Sequence, residues 1–321
     1  MRTRQVHTSS DSALSAALIH RSVLLHEAIE QLSIKPGDTV VDATLGGAGH
    51  ARKIAMQLDT RGTFVGFDLD HDAIVRAEVA LKNAKPKIYC IEDNFKNIAQ
   101  RLGERGIEAV DKVLFDLGWS SFQLEAGRGF SFLKDEPLMM TYSKNGDEST
   151  LTAEKIVNEW EESSIADVIY GWGEERYARR IARAIVEYRQ VKPVKTTFEL
   201  AEIVKAAVPR SYRNGRLHPA TKTFQALRIA VNDELRVLQE GIRGAWHLLN
   251  QKGRIAVITF HSIEDRVVKK LFAEFEKEGG ERITRAPIKP SQEEIASNPR
   301  SRSAKLRVIE KNTYEFHKKD K

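Results

Sequence analysis

The chain has 321 residues, 41% of them hydrophobic and 30% charged, with a formal net charge of +6. That is enough apolar material for one large or two modest globular units and too much for a disordered chain, and the basic balance suits a polyanionic partner such as nucleic acid. The single cysteine, Cys90, excludes an internal disulfide and a multi-cysteine zinc site. Lying in an apolar run, it reads as a core residue of a protein in a reducing compartment.

In chain order, Met1–Ser12 is polar and lacks the apolar stretch of a signal peptide, and residues 1–19 read as a disordered extension. No run of about 18 apolar residues is present, so no membrane span is expected and a cytoplasmic location follows. Apolar, β-branched runs predict strands at Thr39–Thr44, Thr63–Asp68, Lys87–Glu92 and Lys112–Asp116. Helical patterns separate them at Gly49–Leu58, Asp70–Leu81 and Phe95–Leu102. This alternation argues for an α/β fold with a parallel sheet covered on both faces. From Arg128 to Lys222 no convincing strand occurs. Tyr177, Ile181, Ile185 and Tyr188 predict a helix over Glu174–Arg189, and a second is expected at Phe198–Ala207. The α/β pattern then resumes: one helix from Phe224 to about Leu249 ended by Gly253, a strand at Arg254–Phe260, a helix at Ser262–Glu276, and one or two strands in the tail, including Lys305–Glu310. The domain reading is a first α/β part at 20–127, a helical insertion at 128–222, and a second α/β part with a basic tail at 223–321.

Chemistry concentrates at two strand ends. The first strand runs into Asp42-Ala43-Thr44-Leu45-Gly46-Gly47-Ala48-Gly49-His50, a glycine-rich strand-to-helix turn of the kind that admits a ligand close to the backbone. Asp68, at the end of the next strand, is placed to accept hydrogen bonds from both hydroxyls of a ribose. The run is not a clean G-x-G-x-x-G, which favours S-adenosylmethionine over a dinucleotide; a plain tight turn remains the alternative. His50 is either a cofactor contact or a capping residue. Phe95, after the third strand, either packs on an adenine or fills the core. The fourth strand ends in Asp116-Leu117-Gly118-Trp119-Ser120-Ser121-Phe122-Gln123-Leu124. Asp116, Ser120, Ser121 and Gln123 are hydrogen-bonding groups amid aromatics, a composition that suits an extruded nucleobase. Asp116 is the first candidate to receive the proton of a reacting amine, with Ser120 and Ser121 behind it. No metal ligand set is expected.

These segments, together with His20–Leu25, Arg128–Phe132, Tyr170–Glu175, His218–Thr221, Phe224–Ile229, Phe260–Arg266 and Asn298–Ala304, resemble the bacterial 16S ribosomal RNA cytosine-N4 methyltransferases of the MraW type, in family order from His20 to Glu310. The resemblance implies a Rossmann-like class I S-adenosylmethionine-dependent methyltransferase domain with an inserted small helical domain. It implies S-adenosylmethionine as cofactor and 16S ribosomal RNA in the small subunit as partner. Gly47 belongs to the glycine turn, and by resemblance Ala48, Gly49, His50, Asp68, Phe95, Asp116 and Gln123 stand at cofactor-binding positions. Two departures stand out. Ala48 replaces the first of the family's paired glycines, and Leu138-Met139-Met140-Thr141-Tyr142 replaces its usual Leu-Asp-Met-Arg-Met, losing an acid and a base. Arg300, Arg302, Lys305 and Arg307, and Arg210, Arg213 and Arg216, are candidate phosphate contacts or solvated surface. A methyltransferase acting on another nucleic-acid amine or on a protein, and a non-catalytic RNA-binding assembly factor, remain open, as does the oligomeric state, with a homodimer one of the options.

Overall fold

The computed structural model describes residues 21–118, 127–142 and 150–312. Helix α1 (Leu25–Leu32) precedes β1 (Thr39–Asp42), α2 (Gly49–Gln57), β2 (Thr63–Asp68), α3 (His71–Leu81) and β3 (Lys87–Glu92). A single 3-10 turn, Phe95–Asn97, leads into α4 (Ile98–Gly103) and β4 (Val110–Asp116). Helices α5 (Ala153–Glu159), α6 (Glu162–Gly173), α7 (Ala178–Arg189), α8 (Thr197–Ala207) and α9 (Thr221–Asn232) come next. The chain closes with α10 (Glu234–Leu248), β5 (Leu249–Thr259), α11 (Ser262–Phe275), β6 (Gly280–Arg282), α12 (Gln292–Ser297) and β7 (Lys305–Lys311).

The seven strands form one sheet in the order β3-β2-β1-β4-β5-β7-β6. The first five are mutually parallel, and β7 runs antiparallel between β5 and β6. Strand alternation sends successive residues to opposite faces. On one face Val41, Val65, Phe67, Val113, Phe115 and Val257 pack under α4, α10 and α11, where Trp246 stacks on Phe275 at 4.5 Å. On the other, Val40, Phe64, Leu114 and Ala256 pack under α1, α2 and α3. Each such side chain contributes about 1.5–3 kcal/mol on burial. Cys90 is half-buried against the second cluster, and burial pushes its thiol up to about 11.

A third cluster contains no sheet residue. It runs from Phe130, Leu138 and Met140 through α5–α8 to Phe224, Leu227 and Ala230 of α9.

Among the expected boundaries that differ from the structure, three have a clear physical reason. The apolar stripe at 177–188 is present, but its helix starts at Ala178. Glu174 instead closes α6 in a left-handed conformation (φ 51), because α6 runs into α9: a Cβ on Gly173 would lie 2.6 Å from the Lys222 carbonyl. The single helix expected from Phe224 is two, broken at Asp233 (φ 50). Asp is among the few non-glycine residues that tolerate this region, so one residue turns the chain without spoiling the apolar spacing. Gly253 does not end a helix; α10 stops at Leu248 and Gly253 lies inside β5, where a Cβ would crowd Leu249 and Asn250.

Candidate active site

The sheet order reverses at β1, which has β2 on one side and β4 on the other, and the crevice beyond such a reversal is where open α/β sheets bind ligands. Parallel register brings the carboxyl ends of these strands together, so Asp42, Asp68 and Asp116 crown three adjacent strands. Above them opens a cleft of about 910 Å³.

The turn after β1 is tied to both neighbouring strands: Ala43 N–H donates to the Leu114 carbonyl (2.8 Å) and Leu45 N–H to the Phe67 carbonyl (2.9 Å). Gly46 (φ 48) and Ala48 (φ 60) both adopt the left-handed region. For Ala48 this costs about 1–2 kcal/mol that glycine would avoid, offset in part by complete burial of its methyl group. The close approach at Gly49 is to the chain itself: a Cβ there would stand 2.0 Å from Ser22 Oγ. Ser22 belongs to the segment Arg21–Val23, which lines the cleft. Gly47 also lines it.

Asp68 accepts the Gly46 N–H on Oδ2 (2.8 Å) and the Asp70 N–H on Oδ1 (2.9 Å), which fixes its carboxylate facing the turn. A carboxylate has about four acceptor positions, so capacity for two further donors remains. Burial pushes its carboxyl up, against the two N–H bonds. Asp42 is fully buried. Oδ1 accepts the Thr44 N–H (3.1 Å), whereas Oδ2 has no hydrogen-bond partner among the described residues. Burial, reinforced by Asp116 and Asp68, holds this carboxyl well above its usual range.

The Asp116 N–H donates to Thr44 Oγ1 (2.8 Å), and Asp116 Oδ1 accepts the Gly118 N–H (3.1 Å). His50 Nδ1 lies 3.4 Å from Asp116 Oδ2. Burial pushes His50 down to about 4, so the imidazole is neutral at pH 7 and the contact is not an ion pair. Phe95 lines the cleft, meets Phe115 edge-on at 5.5 Å, and packs on Gly241 of α10, where a Cβ would lie 2.5 Å from its ring. Thus Gly47, His50, Asp68, Phe95 and Asp116 come together around one cleft. Ala48 and Gly49 support it from behind. Ser120, Ser121 and Gln123 lie outside the described residues.

Of the opposite wall, His261 and Glu264 follow the strand ending at Phe260 and are legible in the sequence as bordering the site; Arg228, Glu234 and Tyr142 are not. The wall is built around Arg228 of α9. The guanidinium Nε is 2.7 Å from Glu234 Oε1, and Nη2 donates to Glu234 Oε2 at 2.9 Å and lies 4.0 Å from Glu264 Oε1. Tyr142 Oη donates to Glu234 Oε1 (2.7 Å), and His261 Nε2 lies 3.0 Å from Glu264 Oε1. Burial pushes Glu264 up, but His261 and Arg228 more than offset it and hold the carboxyl below its ordinary range. The ligand atoms of Glu234, His261 and Glu264 lie within 4.8 Å of one another. Arg228 already stands against both carboxylates and supplies the positive charge a metal ion would bring. For Arg228 the available sequence signal is a cation among Phe224, Leu227 and Val231 on the apolar side of α9.

The segment that departs from the family pattern crosses from the helical cluster to this wall. Leu138 and Met140 are buried in that cluster, Asn232 Nδ2 donates to the Met140 carbonyl (2.7 Å), and Tyr142 reaches the cleft. The basic runs also divide. Arg307 donates to Asp265 Oδ1 (2.6 Å), Lys305 Nζ donates to Asp265 Oδ2 (3.0 Å), and Arg213 caps the Ala206 and Val208 carbonyls.

A doubly wound sheet in this strand order, with a glycine turn after β1 and a carboxylate at the end of β2, defines a Rossmann-like class I methyltransferase. The chain belongs to the MraW methylase family, whose model matches residues 17–312. Similar curated proteins include one from Acetivibrio thermocellus, 47% identical over 91% of this chain and 98% of its own length, and one from Clostridioides difficile, 45% identical over the same shares. A third, from Clostridium botulinum, is 46% identical, again over 91% and 98%. All three carry the name ribosomal RNA small subunit methyltransferase H. Among the described residues, no helix is long and apolar enough to cross a membrane.

Proposed function

We propose that this chain transfers a methyl group from S-adenosylmethionine to the exocyclic N4 of a cytidine in the decoding region of 16S ribosomal RNA. The observation that carries the reading is the pair of carboxyls, Asp68 and Asp116, that line the cleft beside the glycine turn. Asp68 and Asp116 at the cleft disfavour a pyrophosphate and favour a ligand bearing a sulfonium and an ammonium. The names of the relatives supply small-subunit ribosomal RNA, and the family resemblance supplies the cytidine N4. Asp68 would hold the ribose, the Gly46–Gly47 backbone would admit the ligand closely, and Phe95 would flank the adenine. The cofactor supplies an electrophilic methyl group on a positively charged sulfur.

The chain's own task is then positioning and proton handling. The cytosine amine is a weak nucleophile because its lone pair is delocalised into the ring. Asp116 lies at the tip of β4, and a carboxylate there accepts an amine N–H, localises that lone pair and receives the proton as the N–C bond forms. Neutral His50 next to Asp116 leaves that carboxylate without a competing charge. We assign the helical part, taken as residues 128–222 from the sequence, together with α9 to the RNA side of the cleft, acting in the cytoplasm. Nucleoside mass spectrometry of 16S RNA from cells with and without the protein tests the reading. N4-methylcytidine should disappear with the protein; an unchanged modification profile would refute it. Transfer of labelled methyl groups to purified small subunits separates the enzyme from a non-catalytic assembly factor.

A further inference from the structure

A second, smaller pocket of about 280 Å³ opens beside the main cleft and shares Phe260, His261 and Ser303 with it. Its rim carries Lys289, Arg302 and Lys305, with Ser262 at its edge. The rim is positively charged. Lys305 is paired to Asp265, but Asp265 also binds the buried Arg307, so one carboxylate faces two cations. Lys289 and Arg302 are exposed, and among the described residues neither has an ion-pair partner. Elsewhere in the basic tail Arg307 is committed to Asp265 and Arg300 has a partner of its own.

We infer that this pocket is a subsite for the RNA phosphodiester next to the nucleotide whose base enters the main cleft, with Lys289 and Arg302 as its phosphate contacts. This rests on the proposed RNA reading and names where the backbone must pass. An extruded base leaves its flanking phosphates at the mouth of the base pocket, within a nucleotide's length of it. The shared residues Phe260, His261 and Ser303 make the small pocket the continuation of that mouth. Phosphate contacts position the strand without reading sequence, and two unpaired cations, one following the Ile288–Leu306 bridge and one in the 3-10 turn Pro299–Ser303, serve that role. Because the two side chains support nothing in the fold, they can be altered without unfolding it.

The test uses the full chain and purified small ribosomal subunits that lack the modification. Binding is measured across a salt series for wild type, for Lys289→Gln/Arg302→Gln, and for Arg302→Lys. Each lost phosphate contact should lower the slope of log affinity against log salt by about 0.7, so the double variant should lose about 1.4. Its KM for subunits should rise while kcat at saturation and S-adenosylmethionine affinity stay unchanged. Arg302→Lys should keep the salt slope, because a point charge suffices for a phosphate. A double variant with wild-type slope and KM would overturn the subsite while leaving the methylation reading intact. A wild-type chain that binds subunits without salt dependence would overturn both.

Discussion

Removing Arg228 tests whether the far wall of the cleft is held by charge. The guanidinium pairs with Glu234 through contacts of 2.7 and 2.9 Å and stands 4.0 Å from Glu264, while remaining only 9% exposed. Arg228→Met keeps much of the side chain's bulk and strips both carboxylates of their shared cation. Breaking a buried pair from one side costs about 3–5 kcal/mol, because the abandoned charge stays buried. The lower end applies here: Tyr142 still donates to Glu234, and the Phe260 and His261 N–H groups still donate to Glu264. About 3 kcal/mol corresponds to a fall in melting temperature of roughly 4–5 °C for a chain of this size, at about 2.1 cal/mol/K of unfolding entropy per residue. Differential scanning calorimetry reads it directly. Arg228→Met/Glu234→Gln should recover part of the loss, since it removes one of the two uncompensated charges. A single variant melting within about 2 °C of wild type, or a double variant as unstable as the two singles added, would refute the account.

Asp68→Ala should weaken S-adenosylmethionine binding roughly ten- to a hundredfold, as expected for hydrogen bonds of about 1.5–3 kcal/mol to a charged group; calorimetric titration giving an unchanged affinity would count against the ribose assignment. Asp42 has a raised carboxyl, so its folded form holds a proton that the unfolded chain releases above about pH 4. Stability is therefore lost as pH rises through the folded value, and Asp42→Asn should melt higher than wild type at pH 8 and equally at pH 4. A pH-independent difference would show that burial of the charge is not the cause. His50, pushed down to about 4, contributes stability that fades as pH falls below about 6.5. Its imidazole resonances should titrate near 4 by NMR, and a midpoint near 6.5 would contradict its burial.

The strands of the α/β half were legible because they are short and apolar on both faces, which only a doubly covered sheet explains. Thr63–Asp68 and Lys87–Glu92 match to the residue. The glycine turn and Asp68 were legible because strand ends in such sheets are where ligands sit. The far wall was legible only at His261 and Glu264, which follow a strand end; their partners were not. Tyr142 and Glu234 are 92 residues apart and Arg228 and His261 are 33 apart, and no local period encodes those meetings. The helix ends at Glu174 and Asp233 were hidden for a different reason. A single left-handed residue carries no composition signal when Glu or Asp fills it in place of glycine. Gly49 shows the opposite effect, a conspicuous residue whose close neighbour is Ser22.

The break at Asp233 has a mechanical consequence. Helix α9 belongs to the helical cluster and α10 to the sheet, and the joint between them is one residue long. Arg228 and Glu234 sit on either side of that joint, so their ion pair acts as a bolt through the hinge. Glu174, hydrogen-bonded to Ser262 Oγ (2.6 Å) and paired with Arg266, is a second bolt, from the end of α6 to the start of α11. Both contacts tie the helical part to the sheet across the cleft, the buried Arg228–Glu234 pair more strongly than the exposed Glu174–Arg266 pair.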